Sequence, residues 1–108
     1  MKIEIEYDRS EVNGEFLEYL FGIADNCREL DFQEAENELE KLEMMLKIKG
    51  VEKSLKDKLE LSVIKRIMGK LKPYSKNEDK YAIYLGELNN AIEQAQDIFL
   101  RSYPKKSA

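Results

Sequence analysis

The sequence predicts a small, mainly α-helical domain, and three observations carry that expectation. Apolar residues recur at steps of three and four through most of the chain. Signals that start and stop helices bracket those runs at regular intervals. The 108 residues, 43% of them hydrophobic, leave room for one domain around one core. That domain is expected to span 1–104, with Lys105–Ala108 as a frayed tail.

The opening segment breaks the helical rule. Lys2 to Tyr7 alternate, with Ile3, Ile5 and Tyr7 on one face and Glu4 and Glu6 on the other, which reads as a short half-buried strand. Beyond it Val12, Phe16, Tyr19, Leu20, Ile23, Cys27 and Leu30 follow one helix face. Asp8 with Glu11, or Asn13 just ahead of Phe16, is placed to cap its start. Asn13-Gly14 is also a hairpin-turn dipeptide. Glu15 to Leu20 do not alternate as a second strand would, so the helix is preferred.

Three later helices are better marked. Asp31-Phe32-Gln33-Glu34 forms a capping box, in which the Asp carboxylate accepts from the amide of the third helical residue while Glu34 reaches back. Behind it Ala35, Leu39, Leu42, Leu46 and Lys49 share a stripe widened by Met45 and Ile48, and Gly50 stands where a left-handed residue ends a helix. Ser54-Leu55-Lys56-Asp57 opens a third run through Leu55, Leu59, Val63, Ile67 and Leu71, flanked by Ile64 and Met68. Pro73 stops it, having no amide and disfavouring a helical residue before it. Ser75-Lys76-Asn77-Glu78 opens the fourth, in which Tyr81, Leu85, Leu88, Ile92, Ala95 and Phe99 run on toward Tyr103-Pro104.

Short connections between four amphipathic helices predict a four-helix antiparallel bundle, built as two helical hairpins, with a short N-terminal β-strand. Leu30 to Ala35, and Tyr84-Leu85-Gly86 with Ala91, Ala95, Phe99 and Pro104, resemble fragments of the tetratricopeptide pattern, which implies helical hairpins. The spacings differ from that family's and no 34-residue period is present, so no family is assigned.

Composition narrows function mostly by exclusion. Histidine is absent, which removes Ser-His and Cys-His nucleophilic pairs, imidazole acid–base work and the usual zinc and di-iron ligand sets. A single cysteine, Cys27, permits no internal disulfide and falls on the apolar stripe of the first helix, where a small core residue is expected. No apolar run approaches the length of a membrane span and the charged N-terminus has no signal-peptide core, so a cytoplasmic protein is expected.

Charge is distributed unevenly. Residues 1–46 carry 14 acidic and 4 basic side chains, a net of −10, whereas residues 47–108 carry 8 acidic and 14 basic, a net of +6. Such a gradient marks either interaction surfaces of opposite sign or acidic helices lying against basic ones in one fold. Glu36, Glu40 and Glu43 form an acidic face on the second helix, and like charges at this spacing invite a cation from the fold or from a partner. On the third helix Lys58, Lys65 and Lys72 form a basic stripe with Tyr74 just beyond, a face able to track phosphates. Glu15-x-x-Glu18 and Glu40-x-x-Glu43 resemble the magnesium-binding pairs of all-helical nucleotide pyrophosphatases, which would imply carboxylates converging on a metal.

The reading that best fits these features is a small non-catalytic protein–protein interaction module without cofactor, acting as an adaptor, inhibitor, immunity-type protein or assembly subunit. A nucleic-acid-associated subunit using the basic third helix stands second, and the magnesium enzyme a distant third. Because a lone strand leaves its backbone edges unpaired, Ile3, Ile5 and Tyr7 are expected to pair outside the chain, most simply in a homodimer through residues 2–7.

Overall fold

A computed structural model describes residues 9–102, and all the regular structure among them is helical. The strand expected over 2–7 and the tail at 105–108 lie outside the described residues. Five α-helices follow in order: α1 Arg9–Arg28, α2 Phe32–Ile48, α3 Lys53–Leu59, α4 Leu61–Leu71 and α5 Glu78–Ser102, with a 3-10 turn at Lys72–Tyr74.

The first helix runs straight through Asn13-Gly14, so this dipeptide makes neither a turn nor a cap. It ends where the chain crosses into the left-handed region at Leu30, with φ of 62°. The Leu30 amide donates to the Cys27 carbonyl at 3.2 Å and the Asp31 amide to that of Asn26 at 2.8 Å, the paired closure of a Schellman end. Leu30 is therefore a terminator at the surface, 47% exposed, rather than the last residue of the core stripe.

The Asp31 cap forms as expected, its Oδ1 accepting from the Glu34 amide at 3.2 Å. The far end of α2 repeats the Schellman closure at Gly50, φ 70°, with the Val51 amide donating to the Leu46 carbonyl at 3.0 Å and Val51 itself buried. Here the left-handed position holds the residue that suits it. Ile48, by contrast, stands 62% exposed instead of widening the core face.

The third predicted helix forms in two pieces. Glu60 adopts φ 50° and ψ 46°, ending α3 and starting α4. A side chain in this region costs about 1–2 kcal/mol, and burial on both sides offsets it: Leu55 and Leu59 before the break, and Leu61 and Ile64 after it, all turn inward. Without the break, one straight helix would turn Leu61 and Ile64 to the face opposite Leu55 and Leu59, and both sets could not be buried together. The start also differs from expectation. Glu52 occupies the cap position of α3 without a side-chain bond, so Ser54 lies inside the helix. At α5 the cap is Asn77, whose Oδ1 accepts from the Lys80 amide at 3.2 Å, and not Ser75.

The core is continuous and wholly apolar among the described residues, with Val12, Phe16, Leu20, Ile23 and Cys27 of α1 meeting Ala35, Leu39, Leu42 and Leu46 of α2. The long α5 packs against α1, α3 and α4 and contributes Leu88, Ile92, Ala95 and Phe99. Phe16 and Phe99 stack with ring centroids 3.9 Å apart and planes inclined by 11°. Nearer the start of α5, the Tyr81 hydroxyl donates to the Cys27 carbonyl, and its ring meets Phe32 edge-on at 6.4 Å. Burial pushes the Cys27 thiol up to about 11 from an ordinary value of 9.0. It also raises the Tyr81 hydroxyl, which faces the nascent charge of Cys27 as well.

Candidate functional site

The seam between α2 and α4 is loosely closed. The Glu36 carboxylate and the Lys72 ammonium join in an ion pair at one end. Below that pair the surfaces separate into an open groove of about 830 Å³, bounded by α2, α3 and α4. Glu40, Glu43, Met44, Leu46 and Lys47 form the α2 wall, and Lys56, Asp57, Glu60, Leu61, Ser62 and Lys65 form the opposite side.

One rule of helix geometry, applied to two helices, places these side chains. Leu39, Leu42 and Leu46 commit one face of α2 to the core, so Glu36, Glu40, Glu43 and Lys47 must fall on the faces beside and behind it. On α4, Ile64, Ile67, Met68 and Leu71 are buried, which turns Ser62, Lys65 and Arg66 outward. The acidic face of α2 therefore runs beside the basic face of α4. The charge gradient of the sequence becomes a short-range feature within one fold.

Neutralisation across the seam is incomplete. Among the described residues Glu36 finds Lys72, whereas Glu40, Glu43, Asp57, Glu60, Lys47, Lys56 and Lys65 form no ion pair with one another. Seven charged side chains thus surround one groove, four acidic and three basic, all in contact with water. Met44 stands among them 63% exposed, and Ile48, one helical turn on, continues an apolar ridge along the same side of α2.

The residues expected to meet a partner are distributed as follows. Glu40, Glu43 and Lys65 line the groove, and Glu36 with Lys72 closes its end. Lys58 lies on α3, and Lys72 falls in the 3-10 turn beyond α4, so Lys58, Lys65 and Lys72 do not share one helix. The left-handed break at Glu60 divides the stripe, and its third member is already paired with Glu36. Tyr74 is half-buried, stacked on Tyr84 at 5.3 Å with Lys80 5.0 Å above its ring, which makes it part of the α4–α5 junction. Ile3, Ile5 and Tyr7 lie outside the described residues.

The magnesium reading finds no support in the geometry. Glu15 and Glu18 lie on α1 and Glu40 and Glu43 on α2, and no group of three His, Cys, Asp or Glu side chains suited to a metal occurs among the described residues. Nor is any described helix long and apolar enough to cross a membrane. No protein family, no curated protein and no solved structure matches the chain.

Sequence reasoning missed Met44, Lys47 and Lys56 as lining residues, whereas Ser62 falls on the outward side of the third helix as the spacing from Lys58 and Lys65 predicts. The signal for Met44 was present: in Met44-Met45 only one methionine can face the core, and Met45 takes that place at 6% exposure. The groove itself depends on the break at Glu60, and no residue type at that position announces a left-handed turn.

Proposed function

We propose that this chain is a small non-catalytic protein–protein interaction module, and that it docks its partner in the groove between α2, α3 and α4. The helices are read as an antiparallel bundle of two helical hairpins. Three pairings support that arrangement: Phe16 on Phe99, Cys27 on Tyr81, and Lys70 over the Tyr84 ring. Such a bundle buries its apolar stripes inward and offers partners the seams between helices.

One observation carries the assignment: an open groove holding unpaired charges of both signs beside an exposed apolar ridge. Surface charges on a solvated helix face need no partner, but here like charges at Glu36, Glu40 and Glu43 share one face and only the first is neutralised. A partner bearing an apolar anchor flanked by both charges would cover Met44 and neutralise both walls. Charge complementarity of this kind sets orientation and encounter rate, while the apolar anchor supplies affinity. A polyanion such as nucleic acid would meet Glu40, Glu43, Asp57 and Glu60 with repulsion, so a protein surface is the better match. The reducing cytoplasm, where a lone buried thiol survives, is the proposed setting.

The test is site-specific photo-crosslinking in the native cell. A photoreactive residue at Ser62, inside the groove, should yield a discrete adduct identified by mass spectrometry, and the same residue at Asn90, exposed on α5, should not. Equal labelling from both positions, or none from Ser62, overturns the assignment.

A further inference from the structure

Among the partners such a groove can take, a second copy of this chain fits the α2 wall, and this inference rests on the docking face just proposed. Glu40, Met44 and Lys47 are separated by four and three residues, so they project from one side of α2 in the order acidic, apolar, basic. All three line the groove, and both charges are exposed and without an ion pair among the described residues. A two-fold axis demands that a surface complement itself, with each residue meeting its counterpart in the reverse order. An acidic–apolar–basic sequence along a helix does this when two copies cross antiparallel. Met44 meets Met44, Glu40 meets Lys47 of the other copy, and the same pair forms again across the axis.

We infer that the chain self-associates through α2, Met44 lying on the two-fold axis between two Glu40–Lys47 pairs. Ile48 extends the apolar contact beyond Met44 on each side, giving the ridge a length that one methionine alone lacks. The parallel arrangement is disfavoured by the same charges, because Glu40 would face Glu40 and Lys47 would face Lys47. Stable interfaces bury about 1,200–2,000 Å² in total. A ridge of two apolar side chains with four charged flanks falls short of that, so the dimer is a weak, reversible one that forms in the micromolar to millimolar range. Salt weakens it, since its four flanking charges sit at the rim in water.

Sedimentation equilibrium of the full chain from micromolar to millimolar concentration is the experiment, with circular dichroism confirming that each variant is folded. The native chain should fit a monomer–dimer equilibrium. Glu40→Lys sets Lys against Lys47 at both pairs, and Lys47→Glu sets Glu against Glu40, so each alone should weaken the dimer roughly ten-fold. The double variant Glu40→Lys/Lys47→Glu restores both pairs in reversed sense and should return the dissociation constant to near the native value. Met44→Asp should abolish dimerisation. A chain that stays monomeric at millimolar concentration overturns the inference. So does a dimer indifferent to the charge reversals, including one lost only when residues 1–7 are deleted. Should the chain be monomeric while Ser62 still crosslinks to a different protein, self-association is wrong and the docking groove stands. If both experiments are negative, the groove itself is not a docking face.

Discussion

Along α1 and α5 the inward positions are filled by side chains that exclude water: Phe16 lies flat on Phe99, and the Tyr81 hydroxyl closes on the Cys27 carbonyl. Along α2 and α4 the facing positions are charged, one ion pair forms, and a groove of about 830 Å³ stays open. Both seams join helices that bury one apolar face. They differ in how many apolar residues each helix has left to offer. α5 is in contact with three other helices and spreads an apolar face across them. α2 buries Ala35, Leu39 and Leu42 in the core beside α1 and turns carboxylates toward α4. Core truncations on the first seam should therefore cost the most stability, and the second is the seam where we propose that a partner docks.

The largest effects should therefore come from the dry seam. Phe16→Ala and Phe99→Ala each remove a fully buried ring and leave its stacked neighbour facing a cavity, and each should cost about 3–5 kcal/mol in urea unfolding. Leu88→Ala on α5, and Leu39→Ala on the core face of α2, buried to 0% and 2% exposure, should each cost about 2–5 kcal/mol as core truncations. A loss below about 1 kcal/mol at Phe16 would break the comparison, because the α1–α5 seam would then not anchor the fold.

Alkaline pH attacks the same seam by a different route. The folded state holds the Cys27 thiol up to about 11, whereas the unfolded chain ionises it near the ordinary 9.0. The unfolded state thus binds fewer protons between those values, and stability falls as pH rises through them. Below pH 9 the contribution is fully present; across the window it declines by about 2–3 kcal/mol, and Tyr81, raised in the same direction, adds to the loss. Cys27→Ala removes one thiol and should flatten the slope of stability against pH over this range. An unchanged slope would show that the thiol meets water more readily than its burial implies.

Helix ends give intermediate effects. Leu30 and Gly50 occupy equivalent positions at the ends of α1 and α2, both left-handed and both with paired Schellman bonds, yet only one is glycine. Leu30→Gly should stabilise by about 0.5–1 kcal/mol, since relief of the left-handed cost outweighs the entropy glycine returns to the unfolded chain. Gly50→Ala should destabilise by about 1 kcal/mol. If both substitutions move stability in the same direction, the two ends are not equivalent. Glu60→Gly should behave like Leu30→Gly while leaving α3 and α4 as separate helices.

The uneven legibility of the sequence follows the same division. Helix faces were readable because burial enforces a 3.6-residue period, and Val12, Phe16, Leu20, Leu39, Leu88 and Phe99 all lie where that period puts them. The Asp31 cap and the Gly50 terminator were readable because side-chain chemistry specifies them. Leu30 and Glu60 were not, because each makes a left-handed turn that its residue type does not favour. Part of the groove was legible all the same. Glu40, Glu43 and Lys65 were singled out by charge pattern, and the fold brings them together. Lys58 was singled out on a helix taken as continuous and Tyr74 just beyond its end, and the break at Glu60 together with the Tyr74–Tyr84 stack assigns them elsewhere.

The smallest effects should come from the open seam, and their smallness is the sharpest test of the division. Glu40→Gln and Lys65→Gln each remove one exposed charge that has no ion-pair partner among the described residues, so neither leaves a buried group unsatisfied. Each should change unfolding free energy by less than about 0.5 kcal/mol, the ordinary range for surface positions. The one closed contact should register only slightly more. Glu36 and Lys72 are 37% and 46% exposed, so water screens their attraction, and a double-mutant cycle across them should return about 0.2–1 kcal/mol. Glu40→Gln has a second expected sign: relieving repulsion from Glu36 and Glu43 on the same face would make it neutral to slightly stabilising. A loss of more than about 1 kcal/mol at Glu40 or Lys65 would mean that the groove closes on itself in solution. Its charges would then belong to the fold, and the surface offered to a partner would have to be sought elsewhere.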